Sequence, residues 1–234
     1  MSYHGSIRLP LFFLLSVLLS LLWIGPLQAD DRITNERVSV SSRGAEGDYV
    51  SFDGRISADG ARVAFQSGAS NLVPGDGNSA DDVFLRDRRS GTTTLMCVSS
   101  MRVQGNAGCV DPAISGNGRF VAFASGSDNL VPGDTNGESD IFVRDVTTGQ
   151  TTRVSVGPGG VQATGFGGSS NPVLSFDGRF VAYESYMDNL VGDGIGGSDV
   201  ITDDGKEVVF ASDADNLISR DTNGWPDVFV AERK

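Results

Sequence analysis

The chain has 234 residues, one histidine, two cysteines and a formal net charge of −12. Its length suits one domain behind a leader, and its acidic balance argues against nucleic acid or anionic membrane as partners, since both repel a negative surface. The one histidine is His4, so the rest of the chain has no side chain for Ser-His-Asp or Cys-His catalysis or for histidine-ligated zinc.

Met1–Pro10 carries Arg8 and no acid; Leu11–Ile24 is apolar apart from Ser16 and Ser20; Gly25-Pro26-Leu27-Gln28-Ala29 then precedes Asp30-Asp31. This order predicts a secretory signal peptide over residues 1–29, cleaved after Ala29. The apolar run falls short of the about 20 residues a spanning helix needs, so no membrane span is expected after cleavage. An uncleaved anchor is the alternative, because Leu27 is bulky for its place before the cleavage site. Residues 30–234 would form the mature domain. Cleavage removes only Arg8 from the charged residues, leaving 18 − 1 = 17 basic against 30 acidic.

Arg37–Val40 (RVSV) reads as an isolated strand. After it one pattern recurs: SADGARVAF (57–65), SGNGRFVAF (115–123), SFDGRFVAY (175–183) and TDDGKEVVF (202–210). The copies begin 58, 60 and 27 residues apart. The fullest copy is Asp111–Val156. Within it Arg119–Ser125 is apolar on both alternating faces, as a strand covered on both sides requires. Asn117-Gly118 before it is a hairpin signal whose turn positions both call for positive φ. Asp140–Asp145 is a second strand, and Thr152–Val156 alternates polar and apolar residues like a half-exposed outer strand. Supersecondary units repeating at this scale indicate a propeller or solenoid, and short hairpins without a helical period favour the propeller.

The pattern S-x-D-G-R-x-V-A-F…D-V-F-V-R-D-x-x-T-G resembles the TolB-type, WD40-like propeller repeat from about Glu36 to the C-terminus. The resemblance implies an all-β propeller of about four partly eroded, four-stranded antiparallel blades. It also implies a non-enzymatic module that binds a protein partner in the cell envelope or outside the cell. The chain ends on DVFVAERK (227–234), which lacks the outer strand that would follow it. The spare RVSV is therefore expected to pair with residues 228–231 and close the ring. A ring left incomplete would close by oligomerising.

Blade one, from about Asp53 to Val98, holds Cys97, with Cys109 in the connection beyond it; in an exported chain these two read as one disulfide. The chain-entropy model gives such a short loop about 3 kcal/mol. Free redox thiols are the alternative, without a C-x-x-C spacing or an adjacent basic residue to support it. The glycine-rich connection Gly157–Ser170 is expected to be a mobile surface loop. Asp199-Val200 aligns with Asp140-Ile141 yet reaches the next turn, at Thr202, almost at once, so blades three and four are fused or eroded.

One polar constellation repeats. It is Asp76, Asn78 and Asp82 in blade one, Asp134, Asn136 and Asp140 in blade two, and Asp221, Asn223 and Asp227 in the last copy. In the eroded copy Ile195 replaces the asparagine. Oxygen ligands at alternating positions of a tight loop suit a hard cation such as calcium, and the loop resembles the calcium loops of integrin-type blades. The competing reading is a turn held by its own Asp and Asn side chains. Asn-Leu-Val (71–73, 129–131 and 189–191) and Asn216-Leu217-Ile218 read as apolar plugs between blades, with Asn bonding backbone. Trp225 could stack on a sugar, and Asp/Glu pairs could run glycoside hydrolysis, so a carbohydrate-binding or carbohydrate-active propeller is the alternative function.

Overall fold

The computed structural model describes residues 34–187, residue 190, and the backbone of 198–201, 207–212 and 227–232. Every regular element there is a β-strand except one 3₁₀ turn at Pro158–Gly160. The signal peptide expected over 1–29, Asp221, Asn223, Trp225 and the Ile195 loop lie outside the described residues. So does the side chain of Asp227.

Blade one is β1 (Ser51–Ile56), β2 (Arg62–Ser67), β3 (Asp82–Asp87) and β4 (Thr92–Leu95), hydrogen-bonded in chain order and antiparallel throughout. Blade two is β5 (Cys109–Ile114), β6 (Phe120–Ser125), β7 (Asp140–Asp145) and β8 (Thr151–Arg153), with the same order. In both, the second strand is apolar on both faces because both faces are covered: Val121, Ala122 and Phe123 are wholly buried. The main apolar cluster joins the blades, with Val83, Met96, Phe123, Leu130 and Phe142 meeting around Cys97 and Cys109. Leu72 sits with Phe65 and Phe84 in a second cluster. Leu130 is the expected plug between blades, whereas Leu72 packs within blade one. Their neighbouring asparagines bond backbone, Asn71 Nδ2 to the Glu46 carbonyl (2.9 Å) and Asn129 Nδ2 to that of Gln104 (2.9 Å). Cys97 and Cys109 are disulfide-bonded.

The turn at Asn117-Gly118 corrects one expectation. Only Gly118 is left-handed, at φ 70°. The loop is longer than two residues, since Ser115 N bonds the Phe120 carbonyl (2.9 Å) and Gly118 N that of Ser115 (2.8 Å). Asn117 keeps an ordinary φ because its Oδ1 accepts from Ser115 Oγ (2.7 Å) and Arg119 N (2.9 Å), an Asx turn that leaves the strained position to glycine.

The connection after Val156 is also more ordered than expected. It forms a small hairpin of β9 (Val156–Gly157) and β10 (Val161–Gln162), then β11 (Gly165–Leu174), which pairs with β12 (Val181–Met187). Gly167 and Gly168 take positive φ, and the β11–β12 register slips between Gly165 and Ser169. Glycine supplies an irregular strand here in place of a loop. Three strands then form a last sheet: β13 (Ser198–Ile201), β14 (Glu207–Ser212) and β15 (Asp227–Glu232). Asp199 pairs with Phe210, so the segment matching a third strand in sequence serves as the first strand of this sheet. That is the structural form of the expected fusion.

Residues 37–40 take a different part from the one expected. Val40 bridges Glu46, and its carbonyl accepts from Thr93 Oγ1 (2.5 Å). The described pairing of β15 is with β14. The reason is a repeat at this position: Val98 bridges Gln104, and Val156 pairs with Gln162. Residues 40–46, 98–104 and 156–162 are three copies of one connector.

Candidate functional site

The Asp134–Asp140 loop enters β7, and Asp140 is fully buried at the strand's first position. Its carboxylate accepts from Ser155 Oγ (2.5 Å), Asn136 Nδ2 (3.2 Å) and Arg153 Nη1 (3.3 Å). The same Arg153 Nη1 lies 2.9 Å from Asp134 Oδ1, and the connector's Gln162 Nε2 donates to that oxygen (3.1 Å). A guanidinium thus bridges two buried carboxylates. Burial, then the Asp140 charge, holds the Asp134 carboxyl above its ordinary range, and Arg153 opposes the rise. The loop is closed by N–H and O–H donors of its own chain, the arrangement a turn requires.

Blade one repeats the frame without the cation. Gln104 Nε2 donates to Asp76 Oδ1 and to Asp82 Oδ2, both at 2.9 Å, and Asn78 Nδ2 donates to Asp82 Oδ1 (3.3 Å). At the position of Arg153 stands Leu95, and at that of Ser155 stands Cys97. Asp82 is as buried as Asp140. Burial, and next the Asp76 charge, push its carboxyl up to about 7. The structure therefore brings together Asp76, Asn78 and Asp82, and separately Asp134, Asn136 and Asp140, as the sequence predicts. It adds Gln104, Gln162 and Arg153, which sequence reading missed. The signal was there: glutamine recurs 58 residues apart, at 104 and 162.

The arginine of the D-x-F-x-R-D strand also has a repeated task. Arg144 is buried, and its Nη1 donates to the carbonyls of Val98 (3.1 Å) and Ser99 (3.3 Å) and to Thr151 Oγ1 (2.7 Å). Arg86 does the same for Ser41 (3.2 Å) and Thr93 Oγ1 (3.1 Å). Each arginine clamps the preceding connector onto its own blade. Burial lowers the Arg144 pKa, with Arg102 adding to the effect.

A second site lies along the inner strands. Asp53, Asp111 and Asn171 occupy equivalent positions of β1, β5 and β11, with φ of 51°, 54° and 51°. Each sits where the register with the neighbouring strand slips. Asp and Asn tolerate this conformation better than other non-glycine residues, and a bulge re-aims its side chain. All three line one cavity of about 380 Å³ with Arg55, Ile56, Ile114 and Val173. Asn171 N donates to Asp111 Oδ2 (3.2 Å) across it. Among the described residues no aromatic ring lines the cavity. All six residues of β1 are exposed, including Phe52 and Ile56, whereas β5 is half covered.

No family model and no curated protein matches the chain. Solved structures do. The chain is similar to TolB from Acinetobacter baumannii (16% identity, TM-score 0.39), covering 79% of this chain and 41% of that one. It is also similar to a putative TolB from Agrobacterium tumefaciens (21% identity, TM-score 0.42, covering 77% and 60%). A third similarity is to the Pyrococcus horikoshii acylaminoacyl peptidase (13% identity, TM-score 0.42, covering 78% and 31%). The chain thus spans between 41% and 60% of the length of the two TolB structures.

Proposed function

We propose that this chain is an exported, non-enzymatic propeller module that binds a protein partner along its inner strands. The observation that carries the reading is the cavity where β1, β5 and β11 present Asp53, Asp111 and Asn171 beside exposed Ile56 and Val173. Carboxylates over apolar walls suit an extended segment bearing basic and apolar side chains, and the net charge of −12 favours its approach. A described lining without an aromatic platform weighs against the carbohydrate alternative. The disulfide supports an oxidising compartment. Photo-crosslinkers placed at Ile56 and Val173 should capture a discrete protein from an envelope fraction, and the product should vanish with Asp53→Lys and Asp111→Lys. Equal labelling from exposed Thr152 on β8 would remove the proposal, as would a glycan array that binds while the crosslinkers capture nothing.

Calcium at the acidic loops is a second proposal. Arg153 already lies between the blade-two carboxylates, which directs a hard cation to Asp76 and Asp82. Millimolar calcium, measured against chelator, should then raise the melting temperature, and Asp82→Asn should abolish the rise. A melting temperature indifferent to calcium would leave both loops as turns.

A further inference from the structure

We propose that blade one holds a redox-gated site for a thiophilic divalent cation of the zinc class, formed by Cys97, Cys109 and Asp82 once the disulfide is reduced.

Three observations converge. Ligand atoms of Asp82, Cys97 and Cys109 lie within 4.8 Å of one another, and all three residues are fully buried. The equivalent buried carboxylate in blade two is neutralised by the Arg153 guanidinium and capped by the Ser155 hydroxyl. In blade one those positions are Leu95 and Cys97, so among the described residues Asp82 meets the amide donors of Asn78 and Gln104 and the Asp76 carboxyl, and no cation. A cation bound here would stand for the missing guanidinium. Two thiolates and one carboxylate form a mixed set that suits zinc and cobalt(II) better than calcium or magnesium. Asp76, joined to Asp82 through the Gln104 amide, supports the carboxylate from behind.

The chemistry balances with a dithiol or phosphine as reductant. The reductant gives two electrons, the Sγ–Sγ bond breaks, and Cys97 and Cys109 become thiols. A dithiol leaves as its own disulfide; a phosphine takes oxygen from water and leaves as its oxide. Metal binding then releases the two thiol protons, and any proton on the Asp82 carboxyl, to solvent.

The test titrates cobalt(II) into the mature protein, oxidised and after reduction by a water-soluble phosphine, which competes for the metal less than a dithiol. The expected result is one cobalt per chain in the reduced protein only, with thiolate-to-cobalt charge transfer in the near ultraviolet and the strong visible bands of a tetrahedral site. Asp82→Asn should weaken binding about tenfold or more, and Leu95→Arg, which restores the guanidinium, should weaken it as well. Near-ultraviolet circular dichroism reports the fold throughout. If reduction loosens the fold, cobalt should restore the native spectrum. The proposal is overturned by a reduced protein that binds no cobalt, by equal affinity in the oxidised protein or in Asp82→Asn, or by a reduced protein that takes up cobalt without its native spectrum.

Discussion

Asp140→Ala is expected to lower the unfolding free energy by about 3 kcal/mol. The substitution leaves the buried Ser155 hydroxyl without the acceptor it now uses, leaves the Asn136 amide with the Ala163 carbonyl, and leaves Arg153 with Asp134. Each buried orphaned donor costs about 1–3 kcal/mol, more when it is charged. Adding Arg153→Leu, which copies the blade-one residue, should recover part of the loss, because the buried charge goes with its partner. Urea unfolding of the two variants and the parent measures both effects. A loss below about 1 kcal/mol for Asp140→Ala would show that the network contributes position and little stability.

Asp82→Asn is expected to act in the opposite sense above neutral pH. The folded-state pKa of Asp82 is raised to about 7, against about 3.9 in an unfolded chain. Between those values the native protein keeps a proton that the unfolded chain has lost. Unfolding therefore releases a proton, and stability falls as pH rises. The contribution of protonated Asp82 is complete below about pH 4 and is gone above about pH 7. A difference of that size between folded and unfolded chain is worth at most about 4 kcal/mol. Asparagine cannot ionise, and its Oδ1 still accepts from one of the two donors, Gln104 and Asn78. The oxidised Asp82→Asn protein in chelator should thus gain on the parent steadily from about pH 4 to about pH 7 and hold that gain at higher pH. Leu95→Arg should flatten the parent's profile by the same route. A difference between parent and Asp82→Asn that does not vary with pH would place the Asp82 charge in contact with solvent.

The contrast between these two aspartates shows what could be read in advance. Strands and turns were legible because their causes are local: two-faced apolar runs such as Arg119–Ser125, a glycine after Asp or Asn, a leucine after Asn71 and Asn129. Pairing of Cys97 with Cys109 was legible because the chain has only these two cysteines. The candidate loops were legible as acidic clusters. Their partners were not, because Gln104 lies 28 residues beyond Asp76 and reaches it only after the connector folds back. The same holds for residues 37–40, which read as a strand by composition and act as a connector. Alternation marks an apolar face, and says nothing of whether the backbone beside it will bond a sheet or a buried arginine. Aligning Leu95 with Arg153 would have exposed the missing charge, since that substitution alone turns a neutralised site into an acidic one.

The clamp between each connector and the blade that follows gives the array a direction. In repeat proteins stability is approximately a sum of unit terms and nearest-neighbour couplings. Here the arginine latch precedes the unit it fastens, residues 40–46 for blade one and 98–104 for blade two, while the glutamine that closes each acidic loop comes from the connector after it, Gln104 for blade one and Gln162 for blade two. During synthesis each blade leaves the ribosome after its latch, and can fasten as soon as its third and fourth strands meet. Unravelling from the N-terminal side runs the other way. Losing residues 40–46 strips the Arg86 guanidinium of the Ser41 carbonyl, and Thr93 of its bond to Val40, before any strand of blade one has parted. Residues 40–46 would thus set the mechanical threshold of blade one on that side.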